Sequence, residues 1–428
     1  MGKIEYALLF LGVLLLCLVL YRQLFNVCGA EGFATDPNAF KSETAYTSQV
    51  TAVSNKYNST ATSKRPVRDL LSQNVMPESQ QNFINFYALA CRFTGYIGPM
   101  TNGYFDPDVA VQMAVNAGCR VFVLDIDYLD DCTTGSAAAY FPQLVVRDGQ
   151  GKLIVRYTSN LPMCNNSTHS NLQAVCDKIN LYAFADSCQQ STDPVVIVLY
   201  FLRQPPGSYK SKLVLDYYSN VAKALAPFQN RFLNNELDGG TFYRQKQEGR
   251  LLINPITDYN GKVLIFSNAN TSGFREIPYD PSEDLDFITN LRLSYTQTKL
   301  GVTDNESGTM YGVLQTAEDF MTIPPDRTDA VVEQTKLCWS IALSRDPTQP
   351  VSQTTYQQIT GKTGVHCVPA VLFDPSANDY MFTDKLFKTY GFIPKPEELR
   401  YIKPPVITPA QPNPSTDAKG GMLRAPTI

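Results

Sequence analysis

The stretch Ala110–Asp127, AVQMAVNAGCRVFVLDID, decides the fold. With the preceding Asp108 and Val109 its first half places apolar residues at helical spacing, and Gly118 supplies a helix stop. Val121-Phe122-Val123-Leu124 is then a short apolar run that predicts a buried strand. Working outward, Phe86–Ala90 predicts an earlier strand. Leu144–Val146 and Leu153–Val155 predict a hairpin around Asp148-Gly149. A helix through Leu172, Val175, Ile179 and Tyr182, the strand Val195–Leu199, a helix over Lys212–Leu225 and the strand Lys262–Phe266 follow, with further strands near 310, 338 and 368. This alternation predicts an α/β protein with a parallel sheet, and the count is that of a TIM-type (β/α)8 barrel over residues 77–403.

The flanks read differently. Tyr6–Tyr21 is an uncharged apolar run, and extending it to Ile4 and Phe25 approaches the ~20 residues that span a bilayer. Residues 1–25 are therefore expected to be a transmembrane anchor, making this a single-pass membrane protein. A cleaved signal peptide is the competing reading, with small residues at Cys28-Gly29-Ala30. Lys3 and Arg22 flank the run almost symmetrically, which leaves orientation open. Met1-Gly2 opens like a myristoylation site, but Tyr6 stands where that motif needs Ser or Thr. Residues 26–76, rich in Ser, Thr, Asn and Gln, read as a polar linker, and the Pro-rich residues 404–428 as a disordered tail.

Composition excludes some classes. The formal net charge of −4 gives no global cationic field, so no nucleic-acid partner is expected. Only two histidines, His169 and His366, and no C-x-x-C pair leave zinc-site patterns without footing. Among the ten cysteines, Cys132, Cys164, Cys176 and Cys188 crowd into polar sequence, where an oxidising compartment would allow disulfides. The acceptors Asn58, Asn165, Asn166, Asn270 and Asn305 do not settle the compartment, because so polar a chain produces such triplets by chance.

Three segments carry a family resemblance. Gly118-Cys119-Arg120 with Leu124-Asp125 resembles the "GCRCLELD" element of the phosphoinositide-specific phospholipase C family. The segment from Asn171 through Tyr182-Ala183-Phe184 to the strand PVVIVLYF is similar to that family's "YAF" helix and "PVILSLE" strand. GVHCVPAVLFD and LFKTYGFIPKPEELR resemble its "GCQMVALNFQ" strand and "GYLLKPEFLR" ending. Together they cover roughly 85–402, with poor matches at 203–260 and 268–337.

The family implies a phosphodiester hydrolase using two histidines and a Ca²⁺ ion. Here the segment matching the first histidine is Ala90–Tyr96, containing Arg92, and the turn matching the second is Val146-Arg147-Asp148-Gly149. Of the calcium ligands, Asp125 is kept, while Val123 and Tyr200 stand where the family has glutamates. Asp125 and Asp127 are the candidate metal ligands, with Asp130 and Asp131 nearby, and Ca²⁺ is the cofactor expected if the protein is active. Candidate catalytic residues are Asp125, Asp148 and His366. Candidate ligand-binding residues are Arg92 and Arg147, since guanidiniums hold phosphate bidentately.

The expected function is a membrane-anchored, catalytically degenerate phospholipase-C-like barrel. Its expected partners are a membrane lipid, in particular a phosphoinositide head group, and proteins at a membrane or particle surface. The alternatives are an active phosphoric diester hydrolase with a rearranged site and, more distantly, a two-carboxylate glycosidase on the same barrel. The anchored, diverged copy also resembles proteins of large DNA viruses.

Overall fold

Asp106 starts the helix Pro107–Ala117 by accepting the N–H groups of Asp108 and Val109, and Pro107 suits the first position. Gly118 ends it with φ 96°, where a Cβ would lie 2.8 Å from the Lys64 side chain. The chain then enters the strand that the sequence predicts. The structure, a computed structural model, describes residues 43–98, 105–128, 140–147, 149–151, 153–155, 171–233, 241–248, 250–294, 311–346, 350–372, 381 and 386–403.

Eight parallel strands form one curled sheet. They are β1 Ala90–Arg92, β2 Val121–Asp127, β3 Val195–Phe201, β4 Val263–Ser267, β5 Leu291–Ser294, β6 Tyr311–Thr316, β7 Ser340–Leu343 and β8 Ala370–Val371. Their order is β7-β6-β5-β4-β3-β2-β1-β8. The two ends meet where Ile341 bridges Cys367, with Ala342 N–H donating to Cys367 O at 3.1 Å and His366 N–H to Ser340 O at 3.0 Å. Helices Pro107–Ala117, Asn171–Ala183, Lys212–Ala224, Thr328–Leu337 and Gln353–Thr363 fill five crossovers. Between β4 and β5 only the 3-10 turn Ser272–Arg275 and the short helix Leu285–Ile288 intervene.

Alternation across the strands separates two cores. Ala90, Val121, Val123, Val196, Val198, Phe266, Leu314 and Ile341 pack inside the curl with Trp339. Phe122, Leu124, Ile126, Ile197, Leu199 and Ile265 face the helices. On β2 the inward set continues from Val121 and Val123 to Asp125 and Asp127, so apolar filling gives way to charge at the C-terminal end.

Some boundaries differ from the sequence reading. Phe86–Ala88 is not a strand of the main sheet; it pairs antiparallel with Phe392–Pro394, and the sheet begins at Ala90. The strand Leu291–Ser294 had no strong apolar run to announce it. The expected hairpin is present as Val146–Arg147 paired with Leu153–Val155.

The polar-linker reading of 26–76 fails where the chain is described. Glu43–Ala61 is a helix that buries Val53 and Tyr57, and Val67, Leu70 and Leu71 enter the core. Lys64 is buried too, donating to Phe387 O at 2.7 Å, and burial pushes its ammonium down to about 8. A few well-spaced apolar residues suffice to dock a polar helix, which average composition conceals. Residues 1–42 and 404–428, hence the expected anchor and tail, lie outside the described residues. Among the described residues no helix is long and apolar enough to cross a membrane. Cys176 and Cys188 are free thiols, and Cys132 and Cys164 lie outside the described residues.

These five buried side chains contribute about 1.5–3 kcal/mol each, comparable in sum with the whole stability of a domain. A chain begun at residue 77 is therefore expected to lose cooperative thermal unfolding that a chain begun at residue 43 retains. Equal melting temperatures would show that the segment packs without stabilising.

Candidate functional site: a guanidinium-lined barrel mouth

The C-terminal ends of β1, β2, β3, β6 and β7 surround a cavity of about 460 Å³, lined by Arg92, Asp125, Asp127, Arg147, Tyr200, Arg203, Thr316, Ser344, Arg345 and their neighbours. This is the end at which such barrels carry their chemistry.

Each carboxylate is gripped by guanidinium. Arg92, on β1, reaches Asp125 with Nε at 3.0 and 3.1 Å and Nη2 at 2.6 Å, and its Nη1 donates to Ser344 O at 3.0 Å. Both partners are buried. Burial pushes the Asp125 carboxyl above the usual carboxylate range, and Arg92 opposes that shift. The Arg92 guanidinium also lies 5.0 Å from the Phe93 ring centre and 5.6 Å from that of Tyr200. Phe93 adopts φ 58°, a strained left-handed turn that ends β1 at Arg92.

Asp127 is fully buried and takes two arginines. Arg147 donates Nε to Oδ2 at 2.7 Å and pairs through Nη2 at 2.6 Å, while its Nη1 bonds Gly151 O at 2.9 Å. Arg203 approaches the other side, with Nε at 2.9 and 3.1 Å from the two oxygens. Its Nη2 donates to Tyr128 O at 2.9 Å and its guanidinium lies 4.4 Å from the Tyr128 ring centre.

Local folding explains the convergence. Gln143–Leu144 adds antiparallel to the end of β2, and Val145 N–H donates to Asp125 O at 3.0 Å. The buried Asn171 side chain bonds both Leu144 N–H and Leu144 O, at 3.0 and 3.2 Å. Arg147 is thereby delivered over Asp127. Among the described residues the deep cluster holds three guanidiniums against two carboxylates. Arg345, at the rim, is matched by Asp319 at 3.6 Å.

Arg92, Arg147, Asp125 and Asp127 thus come together at this mouth, paired with one another. His366 does not. It is buried at the opposite end, its Nδ1 accepting Ser340 N–H at 2.9 Å, so it is not a catalytic group of this mouth. Asp148, Asp130, Asp131 and His169 lie outside the described residues. Arg203 was missed, although it stands just past the apolar run VVIVLYF, where a barrel places its site. Arg345 follows β7 in the same way.

The donor set does not fit Ca²⁺. That ion needs six to eight oxygens, whereas the two carboxylates here already bond guanidiniums. No group of three or more His, Cys, Asp or Glu suited to a metal occurs among the described residues.

The fold and mouth define a curled parallel α/β sheet with an arginine-lined cavity at the C-terminal ends of its strands. Comparison with known proteins adds its likeness to phospholipases C. No protein-family model matches the chain, and no curated protein matches it. Solved structures that it is similar to include the PLC21 proteins of L. pealei, at 15% identity over 77% of this chain with TM-score 0.47, and of S. officinalis, at 15% over 78% with TM-score 0.48. The chain spans 40% of the length of each. A calcium-dependent phosphoinositol-specific phospholipase C from a Pseudomonas species matches at 13% identity over 75% of this chain and 97% of its own, with TM-score 0.43.

Breaking the Arg92–Asp125 pair leaves a buried charge without a partner, at a cost of about 3–5 kcal/mol. Asp125→Asn is expected to lower stability to urea by that order, and Arg92→Leu/Asp125→Leu by less than the single change. A double variant as unstable as the two single changes combined would show that the groups act independently.

Proposed function

We propose that this mouth binds a phosphate-bearing lipid head group without cleaving it, on a barrel tethered to its membrane by residues 1–25. The observation that carries the reading is the occupation of both mouth carboxylates by guanidiniums, two of them at Arg92 and Arg147. In the motif resemblance Arg92 and Arg147 lie within the segments Ala90–Tyr96 and Val146–Gly149, which match those carrying the family's two histidines. Hydrolysis of a phosphodiester needs one group that takes a proton and one that returns it. A guanidinium does neither near neutral pH, because its pKa lies above ~12.

The same groups suit recognition. Guanidinium forks match phosphate oxygens, and the deep cluster's surplus of one positive charge complements the single negative charge of a phosphodiester. Phosphoinositide head groups are the proposed ligands, because they combine such a diester with a polyhydroxyl ring that Thr316 and Ser344 can meet at the cavity wall. With both carboxylates paired, no Ca²⁺ requirement is expected for binding.

The test uses the full chain in detergent. Inositol phosphate release is expected to stay at the buffer level with or without Ca²⁺. Binding to vesicles containing phosphatidylinositol phosphates is expected to weaken about tenfold or more in Arg203→Ala, the loss of a charge-assisted hydrogen bond, and to fall with added salt. Calcium-dependent turnover abolished by Asp125→Asn would instead make the protein a phosphoric diester hydrolase with a rearranged site.

A further inference from the structure

The bottom of the barrel holds a second polar cluster, fully buried and remote from the mouth. The segment Phe392–Pro394 pairs antiparallel with Phe86–Ala88 and leads into Lys395, whose N–H donates to Asn85 O at 2.9 Å. Arg400 donates Nε to Lys395 O at 2.6 Å and Nη1 to Gln80 at 3.1 Å, and Asn85 bonds both Tyr401 N–H and Tyr401 O. This C-terminal strap crosses the entry to β1. Beneath it the Lys395 amine lies 2.8 Å from His366 Nε2 and donates to Thr335 O at 3.1 Å. Lys395 and His366 are both 0% exposed.

Proton positions here follow from geometry. Ser340 N–H points at His366 Nδ1 from 2.9 Å, so Nδ1 is the acceptor and the ring proton sits on Nε2. Nε2 faces Ile84 O at 2.9 Å and Lys395 Nζ at 2.8 Å. A lysine ammonium has only donors, and an ammonium against Nε2–H would set donor against donor. An amine instead offers its lone pair to that proton.

We infer that Lys395 is a neutral amine in the folded protein, sharing one proton with His366, and that the strap it anchors is an acid-sensitive latch on the bottom of the barrel. No carboxylate among the described residues forms an ion pair with either group. From helix Thr328–Leu337 the facing groups are Thr335 O and the Lys336 ammonium, which repels a second charge and is itself paired to Glu333 at 2.7 Å. From β7 it is Ser340 N–H, with Trp339 stacked on the imidazole, and from the segment before β1 it is Ile84 O. On the strap itself Arg400 binds backbone, and Glu397 and Glu398 form no ion pair with Lys395. Burial, helped by Lys336, pushes the amine well below its ordinary 10.5, and burial pushes the imidazole well below 6.5.

The sign follows by linkage. Between its lowered folded pKa and about pH 10.5 the unfolded chain holds a proton on Lys395 that the folded chain lacks, so over that window folding is favoured as pH rises. Below 6.5 His366 adds a second such proton. Lys64, near 8, and Asp193, pushed up to about 6 by burial, also titrate, so a comparison between variants is needed.

The test is urea unfolding of the full chain from pH 6.5 to 8, wild type against Lys395→Met, which keeps an unbranched stem without the amine. The unfolding constant of the wild type is expected to change by one proton more than that of the variant, about 30-fold over this window. Equal slopes would overturn the inference. Should Lys395→Met fail to fold, nitrogen-15 NMR of the wild-type lysine side chains at pH 7.5 decides. A free-amine resonance assigned to Lys395, as distinct from Lys64 and Lys246, supports the latch, and an ammonium position for Lys395 overturns it. Neither result depends on what the mouth binds.

Discussion

Asp127 is the constraint on which the mouth depends. Strand alternation puts it, with Asp125, on the inward face of β2 beyond the last apolar layer, where no solvent reaches it. A buried carboxylate without partners costs several kcal/mol, so the fold must bring cations to this point. They arrive on three separate elements: Arg92 from β1, Arg147 from the hairpin strand that follows the one added to β2, and Arg203 from the segment leaving β3. The register of β1, β2 and β3 and the path of two connections are therefore tied to one pair of acidic side chains.

The two ends of the barrel solve the same desolvation problem differently. At the mouth, opposite charges meet and the cavity remains open to water. At the bottom, where Lys395 and His366 have no carboxylate, charge is removed by leaving a proton off, and the surrounding backbone groups are satisfied by neutral hydrogen bonds. The first arrangement keeps a field that a ligand can feel. The second keeps none, consistent with a closed end that serves stability.

Much of this was legible because it rests on local patterns. The unit Ala110–Asp127 displays its helix, stop and strand in one line, and hydrophobic runs as pure as VVIVLYF admit little else. Arg92 and Arg147 were found through motif positions, since both replace a residue of a different chemical type. What stayed hidden depends on long-range pairing. Glu43–Ala61 is polar overall, and only Val53 and Tyr57 mark its buried face. His366 lies close in sequence to β8, but whether a residue before a strand faces the mouth or the floor is set by where the strand starts. Arg203 had a positional signal, one residue past β3 and Leu202, that a search for histidines and carboxylates passes over.

A guanidinium differs in chemical class from a catalytic imidazole or carboxyl: near neutral pH it holds charge and exchanges no protons. Once Arg147 and Arg203 are bonded to Asp127, that carboxylate is no longer available as a metal ligand. On the proposed reading a phosphate would not displace Asp127, which is buried among its arginines, but would add to the cluster at the more exposed edges of Arg203 and Arg345, at 36% and 58% exposure. The ion pairs at the floor of the cavity would then be a preformed platform, and the proposed binding would draw on a field already organised by folding.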